Sequence, residues 1–450
     1  MVGSRRWAGW GASLAVACIA TACTPDIAQD RDTPETMPFD PAADPPLLPQ
    51  PTDLLINPTT GRIDFAVVGL HVPDDCASQP NDALAQCEFY QYLEGLDGFP
   101  TDLSATAPVT APVDLRTASV PDDLVVVDAT RGKLVESIAA SSDTATQSLA
   151  ITPQGGWDVG TTYLFGIRGY AAGLRSEQGR MYVASVPYFL LKRDESLTCG
   201  AASAAQLDPS CPYVKLLEAP DKDAASIFSD LSDLEGIRQL YAYGDKLWSS
   251  LDAIGGLPKD EAATAWAFPT HSASVVELNP TLGMLPQVVD SATIRLGFKG
   301  TMDATTLSAF RLGAPGSVFL LDLTALAAND LVGGLPKFAV SVANHAISLA
   351  AEQPLADGHL IAILMTNAVT NAAGMPFVPA PLTVLLRARG PLVDAFGASL
   401  VDGVSDSDAV AAEAGRKDLA ELLDNPTFAS LTGLERESLV YVYAFTFPQP

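Results

Sequence analysis

The hydrophobic pattern of this chain occurs twice in the same order. In each copy an apolar run is followed by a polar stretch that ends in glycine and then by a second apolar run, starting at Thr162 and again at His359. A short apolar strand pattern precedes both runs, and an aromatic strand pattern follows them at 265–270 and 443–448. Because the offset between equivalent positions changes along the chain, the pattern indicates a divergent duplication with different loop lengths.

Short alternating runs predict the strands of each copy. They lie at 63–72, 109–115, 124–128 and 148–152 in the first copy, and at 292–298, 318–323, 337–342 and 346–350 in the second. Pro, Asp and Gly separate them, and short strands with such turn residues are typical of β-sandwiches. We therefore predict a mainly β protein with two tandem Ig-like β-sandwich domains, at 51–274 and 275–450.

A helical periodicity precedes the last strand of each copy, at about 225–255 and 406–434. The stripe of the first insertion is apolar: Leu231, Leu234, Ile237, Tyr241, Leu247, Trp248, Leu251 and Ile254. A stripe of this kind usually packs on the protein's own sheet, and a partner-binding face is the alternative. We expect both insertions to brace the sandwiches, with Trp248 packed near Trp266 and Phe268. Ser232 and Glu235 resemble a capping box near the start of the first helix.

The N-terminal pattern is that of an exported lipoprotein. Residues 1–22 place Arg5 and Arg6 before an apolar run that is too short to make a good membrane span, which predicts a secretory signal. The run ends in Ile-Ala-Thr-Ala before Cys23, which resembles the bacterial lipobox; an ordinary signal peptide that ends near a cysteine is the alternative. Residues 23–50, dense in Pro and Asp, predict an extended tether. We expect a lipid anchor in the outer membrane of a bacterial envelope, on either face.

Charge limits the possible partners. The chain has 26 basic and 53 acidic residues, for a formal net charge of −27 at pH 7. Such a charge repels nucleic acid and anionic membrane surfaces, so the membrane contact that we expect is the lipid anchor alone. No second apolar run has the length of a membrane span.

Four cysteines follow Cys23, in two local pairs: Cys76 with Cys87, and Cys199 with Cys211. An even number of cysteines in an exported protein predicts disulfides. A metal site is the weaker alternative, because the spacings are not those of a zinc knuckle.

No stretch carries a catalytic motif, and we predict no cofactor. Ser399 follows Gly397, but Val401 occupies the position that a nucleophile elbow keeps small. The histidines are isolated in sequence: His71, His271, His345 and His359. The acidic stretch Asp402–Asp408 could suit a calcium ion, but it lacks the spacing of an EF loop, and helix capping is the alternative. The repeated Gly-Gly-Leu-Pro-Lys at 255–259 and 333–337 lacks the features of a phosphate loop and predicts turns.

Several short motifs resemble known bacterial proteins. Phe39-Asp-Pro41, the run 48–55 and Leu93-Glu-Gly-Leu-Asp-Gly-Phe99 resemble the N-terminal region of bacterial virulence-factor lipases, which are outer-membrane lipoproteins with Ig-like β domains. Thr301-Met-Asp-Ala-Thr-Thr-Leu307 resembles a turn of surface-layer-type bacterial Ig-like domains. With no hydrolase motif in the chain, we expect a non-catalytic display, adhesion or assembly module with an unidentified envelope partner. The alternative is a divergent or accessory member of the lipase group with a role in lipid hydrolysis.

Overall fold

The structure, a computed structural model, describes residues 33–447 apart from 42, 44–45, 69, 145–146, 220–221, 244–245, 273–276, 279–285 and 299–300. The predicted signal peptide, the lipobox cysteine Cys23 and the start of the predicted tether therefore lie outside the described residues.

The first copy contains two antiparallel sheets that share one core. Its elements in chain order are β1 (Glu35–Met37), α1 (Leu84–Glu94), β2 (Ala105–Pro108), β3 (Leu124–Asp128), β4 (Lys133–Leu134), β5 (Ile138–Asp143), β6 (Ser148–Pro153), β7 (Thr162–Arg168), β8 (Tyr182–Ala184), α2 (Val186–Leu191), α3 (Val214–Leu217), α4 (Ala224–Tyr243), α5 (Lys246–Gly255) and β9 (Ala262–Pro269). The sheet β2-β6-β5 packs on the sheet β4-β3-β7-β9. Ala107 and Ile151 of the one sheet share a buried cluster with Val126, Phe165 and Trp266 of the other.

The second copy repeats this arrangement. Its elements are β10 (Glu277–Leu278), β11 (Gln287–Val288), β12 (Thr293–Gly297), β13 (Val318–Asp322), α6 (Leu323–Ala327), α7 (Leu331–Gly334), β14 (Phe338–Ala343), β15 (Ala346–Ala351), β16 (Leu360–Thr366), β17 (Val378–Pro379), α8 (Pro381–Leu386), α9 (Asp406–Leu423), α10 (Pro426–Thr432) and β18 (Leu439–Thr446). The sheets β11-β12-β15-β14 and β13-β16-β18 share a core that includes Ile294, Leu349, Leu320 and Ile363. The fold is thus mainly β, with several sheets and with helices in both regions where the sequence predicts insertions.

Strand register is the same in the two copies. The central strand β7 pairs with β3 and β9, and β16 pairs in the same way with β13 and β18. A register shift occurs at equivalent points, between Ile167 and Arg168 and between Met365 and Thr366. A slip by one residue would turn every side chain of a strand to the opposite face. Because the register is shared, equivalent residues of the two copies can be assigned one by one.

Helices cover the outer face of the sheet that contains β3. Leu231 of α4 and Leu251 of α5 lie in one buried cluster with Val125 and Val127 of β3. Since all five residues of β3 are buried, this strand has the core on one face and the helices on the other. Each fully buried leucine stabilises the fold by roughly 1.5–3 kcal/mol. The apolar stripe of the first insertion thus packs on the protein's own sheet.

The aromatic partner of Trp248 differs from the expected one. The Trp248 ring lies 6.4 Å from that of Tyr188 in α2, in an edge-to-face arrangement. Trp266 and Phe268 point to the inner core instead, where both stack on Phe165. The reason is that side chains alternate along this part of β9, which turns Ala265 and Ala267 to the helices and the rings of Trp266 and Phe268 to the other sheet.

Three other local expectations were wrong. The predicted strand at 63–72 contains a 3-10 turn, Phe65–Val68. The strand predicted at 109–115 lies earlier, at β2, and is followed by a capped turn at Leu115–Thr117. The described part of the predicted tether is packed from Glu35 onward, because β1 pairs with β8 and because Met37 and Phe39 are fully buried.

The two copies contact each other through α1. Ala85 and Phe89 of α1 share a buried cluster with Leu385 of α8 in the second copy. The Glu88 carboxylate accepts hydrogen bonds from the main-chain N–H of Arg389, at 3.0 Å, and from its guanidinium, at 2.7 Å. Among the helices within the described ranges, none is long and apolar enough to cross a membrane.

Candidate functional site

All four predicted disulfide cysteines are paired. The sulfur–sulfur distance is 2.01 Å for Cys76–Cys87 and 2.02 Å for Cys199–Cys211. The first bridge joins α1 to the loop before it and so supports the helix that contacts the second copy. The second bridge lies within the segment between α2 and α3.

The candidate nucleophile Ser399 and the histidines have separate hydrogen-bond partners. The Ser399 hydroxyl donates to the carbonyl oxygen of Val401 at 3.0 Å, within its own turn. His359 Nδ1 lies 2.7 Å from Asp322 Oδ2, so a carboxylate orients this imidazole. The His271 ring contacts the carbonyl oxygen of Ser272 at 3.0 Å. The hydrogen bonds of the described residues do not connect Ser399 to a histidine.

The carboxylates of 402–408 serve as local acceptors. Asp402 accepts from the Tyr90 hydroxyl at 2.6 Å, across the contact between the copies. Asp406 accepts from the main-chain N–H of Ser399 at 2.7 Å, and Asp408 accepts from the hydroxyl of the N-cap residue Ser405 at 2.7 Å. Burial first, and the charge of Asp402 second, raise the pKa of Tyr90, so this phenol stays protonated as the donor. No group of three or more His, Cys, Asp or Glu placed to hold a metal ion occurs within the described part of the chain.

A cavity of about 1340 Å³ lies between the two copies. One wall is the outer face of the sheet β2-β6-β5, and its hydroxyl groups come from neighbouring positions: Ser104, Thr106, Ser141, Ser148 and Thr152. Pairing places Thr106 and Ser141 on either side of Ala150, and the hydroxyls of Ser104 and Thr152 are 2.8 Å apart. This hydroxyl wall is therefore rich in groups that both donate and accept hydrogen bonds.

The opposite wall is apolar and belongs to the second copy. It is formed by aliphatic side chains of α8, α9, β16, β18 and the start of α6: Leu382, Leu385, Leu386, Leu419, Leu360, Ala362, Val442, Ala444 and Leu323. The cavity thus joins a hydroxyl wall and an apolar wall across the boundary of the duplication.

The charged side chains that line the cavity are negative. Six aspartates contribute to its lining: Asp102, Asp143, Asp402, Asp406, Asp408 and Asp418. No Lys, Arg or His belongs to the lining formed by the described residues. A cleft lined by charges of one sign focuses its field and attracts ligands of the opposite sign.

The same surface is covered in the first copy. The shared strand register makes Leu164 of β7 equivalent to Ala362 of β16, which lines the cavity. In the first copy Leu164 is buried in a cluster with Phe39, Leu48 and Leu54 of the N-terminal segment. In the second copy Ala362 is only 1% exposed, because Leu419 of α9 and Phe428 of α10 share its buried cluster. The equivalent face is therefore covered in both copies, and the cavity lies beside it.

A buried ion pair fixes α9, which forms part of the apolar wall. Glu413 and Arg416 of α9 are joined by two contacts of 2.8 Å. The Glu413 carboxylate also accepts from the main-chain N–H of Leu392 at 2.9 Å. Burial alone would raise the pKa of Glu413, but the bonds from Arg416 and from this N–H outweigh it and lower the pKa below its usual value.

The first copy contains the same pair. Glu235 and Arg238 of α4 are joined at 2.9 and 2.6 Å, and Glu235 accepts from the main-chain N–H of Leu197 at 2.9 Å. Glu235 lies in the interior of α4, so its interpretation as part of a capping box near the helix start was wrong. The two Glu-x-x-Arg pairs were missed in the sequence, although their identical spacing was a signal.

The chain resembles some solved bacterial structures weakly. No protein-family model matches the chain, and no curated protein sequence matches it either. Among solved structures it is similar to the N-terminal part of the bacterial S-layer protein SbsC, at 13% identity over 37% of this chain and 28% of that one, with a TM-score of 0.17. Two longer SbsC structures, rSbsC(31-844) and domains 1-6, match at 11% and 12% identity over 43% of this chain and 20% of each, also with a TM-score of 0.17. The chain spans less than a third of those chains, and so low an overlap carries no inference about function.

Proposed function

We propose that the protein is a lipid-anchored, non-catalytic module for display, adhesion or assembly in the bacterial cell envelope. The observation that carries the proposal is the pairing of all four cysteines beyond Cys23 in two disulfides. Disulfides persist in oxidising compartments, which agrees with the export signal and lipobox pattern at the N-terminus.

The contact between the copies supports a binding role. It combines a disulfide-supported helix, the Glu88–Arg389 ion pair and a shared apolar cluster, so the cavity is bordered by elements that hold each other in place. Clefts at domain boundaries that join apolar walls with a few polar groups are typical binding sites. A module of this kind presents a surface to a partner without chemical turnover.

Membrane fractionation tests the anchor. Cys23→Ser removes the thiol that acylation needs, so the protein should leave the membrane fraction while its circular dichroism spectrum stays unchanged. Cys18→Ser is the matched control, because this cysteine lies within the predicted signal and should leave anchoring intact. Sedimentation of the Cys23→Ser protein with membranes after a high-salt wash would contradict the proposal.

Lipid hydrolysis is the second candidate, favoured by the hydrogen bond between His359 and Asp322. A carboxylate that orients an imidazole is one part of a nucleophilic triad, and Leu323 and Leu360 beside this pair line the cavity. Short-chain acyl esters are the test. Turnover that a serine-directed inhibitor abolishes, and that His359→Ala removes, would replace the non-catalytic proposal.

A further inference from the structure

The cavity between the copies has features that select its occupant. Its volume of about 1340 Å³ exceeds the usual 300–1,000 Å³ of small-molecule pockets. The cavity extends from the first copy to the second, and its charged lining is entirely negative within the described residues, so it suits an extended, basic occupant that also carries apolar groups.

We propose that the cavity binds an extended, basic polypeptide segment of a partner protein, with aliphatic and cationic side chains in alternation. This rests on the proposed function, because it names the partner chemistry of the same surface module.

The two walls fit the two faces of such a segment. Successive side chains of an extended chain point to opposite sides. Aliphatic side chains on one side can pack on the wall that contains Leu382, Leu386 and Ala444. Cationic side chains on the other side can reach Asp143 beside the hydroxyl wall, and the aspartates of the second copy, including Asp418 of α9, add to the same negative field.

The hydroxyl wall favours a polypeptide over an acyl chain. Serine and threonine hydroxyls both donate and accept, so Thr106, Ser141 and Thr152 can bond to the N–H and C=O groups of an extended backbone. An acyl chain would cover these hydroxyls without replacing their bonds to water, and that burial is unfavourable. A small polyamine would satisfy the aspartates but leave the apolar wall in contact with water.

Fluorescence anisotropy with labelled peptides tests the proposal on the purified protein. The probe is a short alternating Leu–Lys peptide, and the comparison peptides are Leu–Glu, which reverses the charge, and Ser–Lys, which removes the aliphatic side chains. We expect the Leu–Lys peptide to bind at least about tenfold more tightly than either one, a difference of about 1.4 kcal/mol. Its affinity should fall as salt is added.

Two variants locate the binding. Ala444→Lys places a positive charge at an exposed position of the apolar wall, and Asp418→Asn removes one exposed negative charge. The first should weaken Leu–Lys binding at least about tenfold, and the second should weaken it less and reduce its salt dependence. The matched controls are Ala339→Lys, at an exposed strand position of β14, and Glu421→Gln, three residues beyond Asp418; neither lines the cavity.

The proposal is overturned if the Leu–Lys peptide does not bind, if Ser–Lys binds equally well, or if the controls weaken binding as much as Ala444→Lys does. A circular dichroism spectrum equal to that of the unaltered protein shows that each variant is folded. Each of these failures leaves the membrane-fractionation and inhibitor results unchanged, so a failure of the proposed function remains distinguishable.

Discussion

Replacement of Glu413 by alanine tests whether the buried Glu-x-x-Arg pair holds the second copy together. The side chains of Glu413 and Arg416 are 7% and 9% exposed, so removal of the carboxylate leaves a guanidinium buried without its charged partner. Loss of one member of a buried pair usually costs about 3–5 kcal/mol. The N–H of Leu392 also loses a charged acceptor, and we expect the loss to lie in that range.

Guanidinium denaturation measures the effect. Circular dichroism reports on both copies, whereas tryptophan fluorescence reports on the first, because Trp157, Trp248 and Trp266 all lie there. Glu421→Ala on the exposed face of the same helix is the control and should change the free energy of unfolding by less than about 0.5 kcal/mol. The double variant Glu413→Ala with Arg416→Met should recover part of the loss, because an apolar pair can replace a buried ion pair. A loss below about 1 kcal/mol for Glu413→Ala would refute the reasoning.

Three further predictions follow from single contacts. Trp248→Ala should lower the free energy of unfolding by about 1–3 kcal/mol. This is less than for a fully buried tryptophan, since Trp248 is only partly buried beside Tyr188. An unchanged melting temperature would contradict the interpretation that the first helical insertion braces the sheet. Burial raises the pKa of Asp53 to about 7, so the folded state holds more protons than the unfolded state between about pH 4 and 7, and stability falls as the pH rises through that window. Asp53→Asn should remove this fall in urea titrations at several pH values. Tyr90→Phe should lower the melting temperature by removing the bond to Asp402, whereas Tyr443→Phe, at a partly buried position of β18, should not.

The sequence was most informative where the signal is local. The continuous β-branched run at 124–128 predicted β3, which is buried on both faces, and the alternation at 148–152 predicted β6, which has one buried face. The disulfide pairs were predictable for the same reason, since each closes a short loop. The duplication was visible in the order of the apolar runs. The strand register of the structure then made it possible to assign equivalent residues.

Other elements were missed although their signals were local. The run that begins at Tyr188 is helical in α2, with Pro187 in its first turn, and α8 likewise begins at Pro381. Proline suits the first turn of a helix because its missing N–H would have no partner there. The helix α1 was missed although Ala85, Phe89 and Leu93 are spaced by four residues, a helical period that could have been recognised.

The cavity could not be predicted from either copy alone, because it depends on how the copies differ. The Glu-x-x-Arg pairs align α4 with α9, which places Ala409 and Ala412 of α9 where α4 has Leu231 and Leu234. The smaller side chains of α9 share a cluster with α1 of the first copy, whereas the leucines of α4 pack on their own sheet. The same helix position thus serves the internal core in one copy and the contact between copies in the other. The cavity lies beside that contact, where the packing of the second copy differs from that of the first.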